Sequence, residues 1–327
     1  PRSTLFPYTT LFDLVLKKTS KKAPVKATAK KTAAAKTETK TTVKRVVTES
    51  AAAKSKSKRA KLGSALPSNL INIVIAEIIG TFILTLTALF ASDVLSSMYV
   101  GFALMLIVTA IGGISGAHVN PAVTFGLWSM RKLKTALVPF YWGAQFLGAM
   151  AAVVLIGSIT NNGFALSFDQ FTAFSWSVFA VELIGVAVFM FGVAAALNRK
   201  EISTTGKAFG VGLALMIGLV VSGSVTSFVR ASVIAKIQDN QVTAQSENSE
   251  RPYPREIYIS GATLNPAVAL AVTEKTDTQV RSNSPFPGKN EKSYSRFSLE
   301  VIVATLIGAA LGGNLFLLIN YRNKEEE

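Results

Sequence analysis

The sequence predicts an all-α membrane protein in which six transmembrane helices and two re-entrant half-helices form an inverted repeat. Three observations support this fold class. Half of the 327 residues are hydrophobic and only 16% are charged, too few charges to cover a soluble protein of this size. Apolar runs of membrane-spanning length, about 17–25 residues, recur along the chain. A short Pro-containing segment also occurs twice between apolar runs.

The apolar runs differ in length, and this difference separates full spans from half-helices. The six long runs cover residues 70–90, 98–115, 136–158, 176–197, 207–228 and 299–320. Two shorter runs, 121–130 and 266–273, each follow an Asn-Pro-Ala triplet. At about 1.5 Å per residue, they reach only halfway through a bilayer core of about 30 Å. We expect each half-helix to begin at its proline, since proline suits the first helical position.

Two features of the first half of the chain recur in the second half. The segments ISGAHVNPAVTFG (114–126) and ISGATLNPAVALA (259–271) share eight of thirteen positions at an offset of 145. A Glu followed by Ile-Gly two positions later occurs at Glu77 and again at Glu182, an offset of 105. Each half has three spans and a half-helix, and an odd number of crossings predicts that the halves are inverted.

The second half is longer than the first. Glu77 lies 43 residues before the first triplet Asn, whereas Glu182 lies 83 residues before the second. The extra residues of the second half are assigned to insertions within a channel domain that covers residues 67–322. The remaining predicted ranges are two repeats (67–158 and 175–320), two extracellular insertions (225–258 and 274–297) and the C-terminal tail (323–327).

A strongly basic segment precedes the channel domain. Residues 1–66 hold 17 Lys/Arg and 3 Asp/Glu, a net charge of +14, while the rest of the chain is nearly neutral. Its Lys-, Ala- and Thr-rich composition predicts disorder, and the first ~16 residues are interpreted as artefactual. The tail is either a solvated extension or a segment that contacts anionic lipid or nucleic acid.

The distribution of Lys and Arg predicts the orientation in the membrane. Residues 131–134 and 198–207 are basic, whereas 91–97 and 159–175 contain no Lys or Arg. By the positive-inside rule, both termini of this multi-pass protein lie in the cytoplasm. The expected location is the plasma (inner) membrane.

The repeated segments predict a polar site near the bilayer midplane. Irregular backbone at membrane depth is tolerated where it is buried in protein or lines a water-filled cavity. If the half-helices meet, their positive N-terminal ends and the amides of Asn120 and Asn265 point to one place. Neutral polar solutes find donors there, whereas cations meet two positive dipole ends. Backbone carbonyls expected to line the path belong to Gly116, Ala117, His118, Gly261, Ala262 and Thr263.

These features resemble the aquaporin (major intrinsic protein) family over about residues 68–322. The motif residues are Asn120, Pro121, Ala122, Asn265, Pro266 and Ala267. The resemblance implies an aquaporin-like fold, a channel for water or small solutes, and a homotetramer with one pore per subunit. It also implies that Glu77 and Glu182 accept backbone N–H groups of the re-entrant loops. His118 is expected to brace its loop, with pH-dependent gating as the alternative.

The chain departs from the family pattern at the constriction. An arginine usually lies three residues after the second triplet Asn, where this chain has Val268. An aromatic residue usually lies where this chain has Val100, and Leu219 and Ala262 complete the set. The resulting apolar ring has two interpretations. It is wide enough for glycerol, urea or ammonia, or it dewets and conducts water poorly.

Other functions are less well supported by the composition. The chain has no cysteine and one histidine, which leaves little for thiolate chemistry, a metal site or a Ser-His relay. We therefore expect no enzyme activity, no metal and no cofactor. A gradient-coupled transporter also uses inverted repeats, but Glu77 and Glu182 lie near span starts rather than at the midplane. A non-conducting membrane anchor for the basic tail is the other alternative.

Overall fold

The computed structural model describes residues 66–90, 95–160, 166–239, 251–282, 287–288 and 291–322. The predicted basic tail up to residue 65 and the predicted C-terminal tail lie outside the described residues. The long helices are α1 Leu70–Phe90, α2 Ser96–Ser115, α4 Val138–Thr160, α5 Trp176–Asn198, α6 Thr204–Gln238 and α10 Leu299–Arg322. The short elements are α3 Pro121–Ser129, a 3₁₀ turn Thr135–Leu137, α7 Arg255–Tyr258, α8 Pro266–Ala271 and α9 Asp277–Arg281, with strands β1 Leu166–Ser167 and β2 Ser293–Tyr294.

The six predicted spans are confirmed as helices. Within the described residues, six helices are long and apolar enough to cross a membrane. Their outer faces carry exposed large apolar side chains such as Leu106 (65%), Trp176 (75%) and Phe228 (78%). In contrast, Glu77 and Glu182 are fully buried inside the bundle. An apolar exterior around buried polar groups is the arrangement that a lipid environment favours.

The half-helices connect the two halves of the bundle. Helix α3 packs mainly against α10, and α8 packs against α4 and α1. Each half-helix therefore contacts spans from the other half. Among the long helices, α5 packs against α6 and α10, while α1 packs against α2 and α4. This cross-packing brings the start of α3 close to the start of α8.

The largest difference from the predicted helix bounds lies at the end of the fifth span. The fifth span was predicted to end at residue 228, but α6 continues to Gln238, so the first part of the predicted 225–258 insertion is helical. Residues 229–238 contain neither Gly nor Pro, and nothing local interrupts the helix. The predicted end was the point where the sequence becomes more polar. The backbone hydrogen bonds of a helix can continue beyond that point, as they do in α6.

The second half-helix is shorter than predicted and ends at Ala271 instead of residue 273. Val272 is already extended, and Thr273 forms an antiparallel bridge with Ser295. The Ser295 hydroxyl donates to the carbonyls of Ala269 (3.2 Å) and Leu270 (2.9 Å). The carbonyls near the C-terminus of α8 thus accept hydrogen bonds from a side chain instead of from another helical turn.

Candidate functional site

Asn120 and Asn265 lie at the junction of the two re-entrant loops, and each amide reaches into the opposite loop. Asn120 Nδ2 donates to the Leu264 carbonyl at 2.8 Å, and Asn265 Nδ2 donates to the Val119 carbonyl at 2.9 Å. Both Asn residues are 2% exposed. An amide nitrogen carries two hydrogens, so each Asn has a second N–H for another acceptor.

The same two side chains also cap the half-helices. Asn120 Oδ1 accepts from Ala122 N at 2.8 Å, and Asn265 Oδ1 accepts from Ala267 N at 3.0 Å. Both Asn residues are extended and precede a proline at the first helical position. This is a favourable N-cap, because the side chain satisfies an orphan N–H and proline has none to satisfy. The caps hold both amides in fixed orientations.

The residue before each Asn has an unusual backbone conformation. Val119 has φ 43° and Leu264 has φ 54°. Both values lie in the left-handed region, which residues other than glycine rarely adopt. The N–H of each residue donates to the glutamate that holds its loop, and its carbonyl accepts from the Asn of the opposite loop. Because both groups are hydrogen-bonded, the surrounding contacts offset the local strain, which is typical of functional sites.

The first re-entrant loop is held by Glu77 of α1. Glu77 Oε1 accepts from Ser115 Oγ at 2.6 Å and from His118 N at 2.9 Å. Its Oε2 accepts from Val119 N at 2.7 Å and from Gln145 Nε2 at 2.8 Å. A single buried carboxylate thus receives four donors, and two of them are backbone N–H groups of the loop.

The second loop is held in the same manner by Glu182 of α5. Glu182 Oε1 accepts from the N–H (2.8 Å) and hydroxyl (3.0 Å) of Thr263. Its Oε2 accepts from Leu264 N at 2.9 Å, and Arg296 Nη2 donates to Oε1 at 3.1 Å. The loop N–H groups involved occupy equivalent repeat positions in the two halves.

A glycine one turn after each glutamate allows the loops to approach their helices. A Cβ built on Gly80 would lie 2.6 Å from Val119 Cγ1, and one on Gly185 would lie 2.4 Å from Leu264 Cδ2. Real Cβ atoms do not approach so closely. The side chains of the two strained residues therefore occupy space that only glycine leaves open.

We expect Gly185→Val to destabilise the protein by about 1–3 kcal/mol, the usual range for overpacking a core. The added side chain displaces Leu264, whereas Gly143→Val in α4 meets no atom within 4 Å of its Cβ and is the matched control. Thermal unfolding of both variants in detergent micelles measures the difference. Equal midpoints for the two variants would show that the contact at Gly185 does not restrict the second loop.

His118 is buried within the first loop. Its side chain stacks on Tyr141 with ring centroids 4.3 Å apart, and Nδ1 lies 3.2 Å from Thr124 Oγ1. The residue is 4% exposed. This placement supports the loop-bracing interpretation more directly than pH gating, because a charged imidazole in this position would be desolvated.

Among the loop carbonyls that accept hydrogen bonds, Gly261 is one that was predicted to line the path. The Val119 and Leu264 carbonyls accept from the opposite Asn amides, and the Gly261 carbonyl accepts from Arg296 Nη1 at 2.7 Å. A carbonyl oxygen has a second lone pair, so Gly261 remains able to accept another donor. The other predicted carbonyl positions lie along the two loops at Gly116, Ala117, His118, Ala262 and Thr263.

The four predicted constriction residues come from four elements. Val100 lies on α2, Leu219 on α6 and Ala262 in the second loop, and all three are partly exposed. Val268, in the first turn of α8, is 5% exposed. Helices α2 and α6 are in contact near Gly101, the residue after Val100. The assignment of these four residues to one ring stays a prediction.

Sequence reasoning missed three side chains that contact the loops or the glutamates that hold them. Gln145 Nε2 donates to Glu77, the Tyr141 hydroxyl donates to the Ser115 carbonyl, and Arg296 contacts the second loop. A Gln inside an apolar span is a signal that could have been used, since polar groups at membrane depth have partners. Arg296 lies in a connection of ordinary polarity, and its sequence position provides no such signal.

The charge of Arg296 is balanced by nearby carboxylates. Burial lowers the pKa of its guanidinium, while the carboxylates of Glu182 and Glu274 act in the opposite direction. Because an arginine is not deprotonated in proteins, the group remains a cation next to the second loop. Among the described residues, no cluster of three His, Cys, Asp or Glu side chains could hold a metal ion.

Comparisons with known proteins match this chain to one family. A family model described as major intrinsic protein matches residues 75–230, which include the first triplet and both glutamates. Aquaporin NIP2-1 of Zea mays is 27% identical over 176 residues, 50% of this chain and 60% of that protein. Probable aquaporin NIP7-1 of Arabidopsis thaliana is 30% identical over 185 residues, 51% of this chain and 67% of that protein.

Other matches extend beyond plants. Aquaporin AqpM of Methanothermobacter marburgensis is 29% identical over 174 residues, 50% of this chain and 63% of that protein. The solved aquaglyceroporin of Plasmodium falciparum shares 19% identity, with 76% of this chain and 93% of that chain covered and a TM-score of 0.43. The chain spans about 60% of the length of the maize relative. With two thirds of the Arabidopsis protein matched at 30% identity, this chain belongs to the major intrinsic protein (aquaporin) family and is an integral multi-pass membrane protein.

Proposed function

We propose that this chain forms a passive channel for water or small uncharged solutes and is not an enzyme. The observation that carries the proposal is the reciprocal contact of Asn120 and Asn265 with the opposite loops. This contact brings two half-helix N-termini and two amide donors to one place inside a bundle of membrane-spanning helices. The aquaporin names of the relatives support the same function.

The electrostatics of this place favour neutral permeants. A passing water or hydroxyl oxygen gains the second N–H of Asn120 or Asn265 in place of bulk water. A cation loses hydration and approaches two positive helix ends, which together raise its energy. The site therefore passes neutral polar solutes and excludes ions.

The hydrogen bonding of the two glutamates argues against a gradient-coupled transporter. Glu77 receives four donors and Glu182 receives four. A coupling carboxylate must release its partners to bind a proton or sodium ion, whereas these two hold the loops in place. Solute flux is therefore expected to be independent of proton and sodium gradients.

Assembly and location follow from the same proposal. We expect a homotetramer in the lipid bilayer, with one channel per subunit. The bilayer is that of the plasma (inner) membrane, and both termini lie in the cytoplasm. The channel domain covers residues 67–322, and the inserted ranges 225–258 and 274–297 then lie on the extracellular side. The basic tail is proposed to contact anionic lipid or nucleic acid rather than to take part in transport.

The permeant depends on the proposed ring of Val100, Leu219, Ala262 and Val268. Without an arginine or aromatic side chain, the ring is either wide enough for glycerol-sized solutes or apolar enough to exclude water. Stopped-flow light scattering on proteoliposomes of the full chain distinguishes these cases. An osmotic step in sucrose measures water efflux, and a step in glycerol measures re-swelling by glycerol entry.

We expect rapid water efflux and rapid glycerol re-swelling from the wild-type chain. Val268→Arg should lower the glycerol rate at least ~10-fold. The larger charged side chain occupies part of the passage, and one extra methylene in an apolar pocket already changes rates about 10-fold or more. Val268→Leu adds volume without charge and is the control. Rapid water efflux with slow re-swelling would identify a narrow water pore. Rates no higher than those of empty liposomes would contradict the proposed channel and favour the anchor alternative.

A further inference from the structure

We propose that Arg296 is a positioning residue that holds the second re-entrant loop, and that the described residues 291–297 of the predicted insertion 274–297 thereby set the geometry of that loop. The consequence for solute selectivity rests on the proposed channel function. The positional claim rests only on the contacts of the described residues.

Arg296 connects the loop to its glutamate. Its Nη1 donates to the Gly261 carbonyl at 2.7 Å, and its Nη2 donates to Glu182 Oε1 at 3.1 Å. The side chain is 3% exposed and that of Glu182 is fully buried. One planar guanidinium therefore contacts the start of the loop and the carboxylate that receives the loop N–H groups. A rigid fork with several donors is suited to two simultaneous contacts of this kind.

The first loop is held by equivalent contacts that come from a different place. Gln145 Nε2 donates to Glu77, as Arg296 donates to Glu182. The Tyr141 hydroxyl donates to the Ser115 carbonyl at the start of the first loop, as Arg296 donates to Gly261. In the first half, both donors belong to the membrane-spanning helix α4. In the second half, one arginine outside the spans makes both contacts.

A buried group of charges lies beside Arg296. Arg255 pairs with Glu274 (2.6 Å) and with Glu300, the second residue of α10. Arg251 pairs with Glu274 as well. The carboxylates of Glu274 and Glu300 are fully buried, and the two arginine side chains are 13% or less exposed. These pairs tie the chain before the second loop, the chain after α8 and the start of α10 to one another.

The segment that carries Arg296 is also fixed by backbone hydrogen bonds. Arg296 N donates to the Val272 carbonyl at 2.9 Å, and Glu274 N donates to the Tyr294 carbonyl at 2.8 Å. The arginine therefore extends from an ordered segment, which is a requirement for a side chain that positions another element. A shift of this segment would move the Gly261 carbonyl and, with it, the adjacent Ala262 of the proposed constriction.

Hydrogen–deuterium exchange of the full chain in lipid nanodiscs tests the positional claim without any transport. We expect Arg296→Gln to raise the exchange rate of the Thr263 and Leu264 amides at least ~10-fold, a change equivalent to about 1.4 kcal/mol of protection. Arg296→Lys keeps a charge for Glu182 but has a compact ammonium in place of the fork, and an intermediate rate is expected. Arg281→Gln is the control, because Arg281 is exposed in the same inserted segment.

The ratio of glycerol to water permeability in proteoliposomes is the second readout. A loss of folded protein lowers both rates together and leaves the ratio unchanged, whereas a displaced loop changes it. We expect the ratio to change at least ~2-fold in Arg296→Gln and less in Arg296→Lys, since retained charge preserves part of the pairing. If Arg296→Gln does not yield folded protein, Arg296→Lys provides both readouts.

The outcomes separate this inference from the proposed function. Exchange rates in the Arg296 variants equal to those in Arg281→Gln would overturn the positioning role, whatever the transport result. A wild-type chain without flux above empty liposomes would refute the proposed channel, and the exchange data alone would then decide the role of Arg296. Faster exchange with an unchanged permeability ratio would show that Arg296 positions the loop but does not affect solute selectivity.

Discussion

Replacing Asn265 with aspartate is expected to let cations cross the site at which the paired Asn amides are proposed to exclude them. The carboxylate can still accept the Ala267 N–H that Asn265 Oδ1 accepts at 3.0 Å, so the half-helix keeps its cap. The donor to the Val119 carbonyl is lost, and a full negative charge replaces a neutral amide. At 4 Å, one unit charge attracts a cation by about 4 kcal/mol at an effective dielectric constant near 20.

The measurement is proton and potassium flux into proteoliposomes, with an entrapped pH dye and an imposed potential. We expect cation flux to rise at least ~10-fold, well below the limit that about 4 kcal/mol would allow. Asn320→Asp, in the last turn of α10, makes the same change in charge and is the control. Asn120→Asp should behave like Asn265→Asp because their contacts are equivalent. Cation flux equal to the control would show that the amides do not determine ion exclusion.

Replacing Glu77 with alanine is expected to produce the largest loss of stability. The change removes the carboxylate that accepts from Ser115, His118, Val119 and Gln145. Because the site is fully buried, water does not readily replace the carboxylate. A buried donor left without an acceptor costs about 1–3 kcal/mol, and four donors lose an acceptor in this variant. We therefore expect a much lower unfolding midpoint in detergent and the loss of water flux.

Variants at and away from Glu77 make this test specific. Glu77→Gln keeps one acceptor oxygen but directs an NH₂ group at N–H donors, and an intermediate unfolding midpoint is expected. Glu201→Ala removes an exposed carboxylate and should leave the midpoint unchanged, since surface substitutions rarely exceed about 0.5 kcal/mol. A midpoint for Glu77→Ala within the range of Glu201→Ala would contradict the bracing role of the buried carboxylate.

The sequence was sufficient to predict the elements that depend on local chemistry. Pro121 and Pro266 mark the first residue of each half-helix as the structure has it, because proline suits that position and the preceding Asn can cap it. The long apolar runs identify the spans, since a bilayer requires about 20 such residues. Local composition failed at the end of α6, which continues past the apolar run to Gln238.

What the sequence by itself determined is the set of spans, the half-helices, the inverted repeat and the paired Asn residues, all of which follow from periodic or repeated patterns. Only the tertiary structure decided which donors meet Glu77 and Glu182. Gln145 lies 68 residues from its glutamate, and Arg296 lies 114 residues from its own. A buried carboxylate must be satisfied, but it accepts any donor that packing brings within reach. Glu77 therefore receives an amide from a membrane-spanning helix, whereas Glu182 receives an arginine from a connection outside the spans.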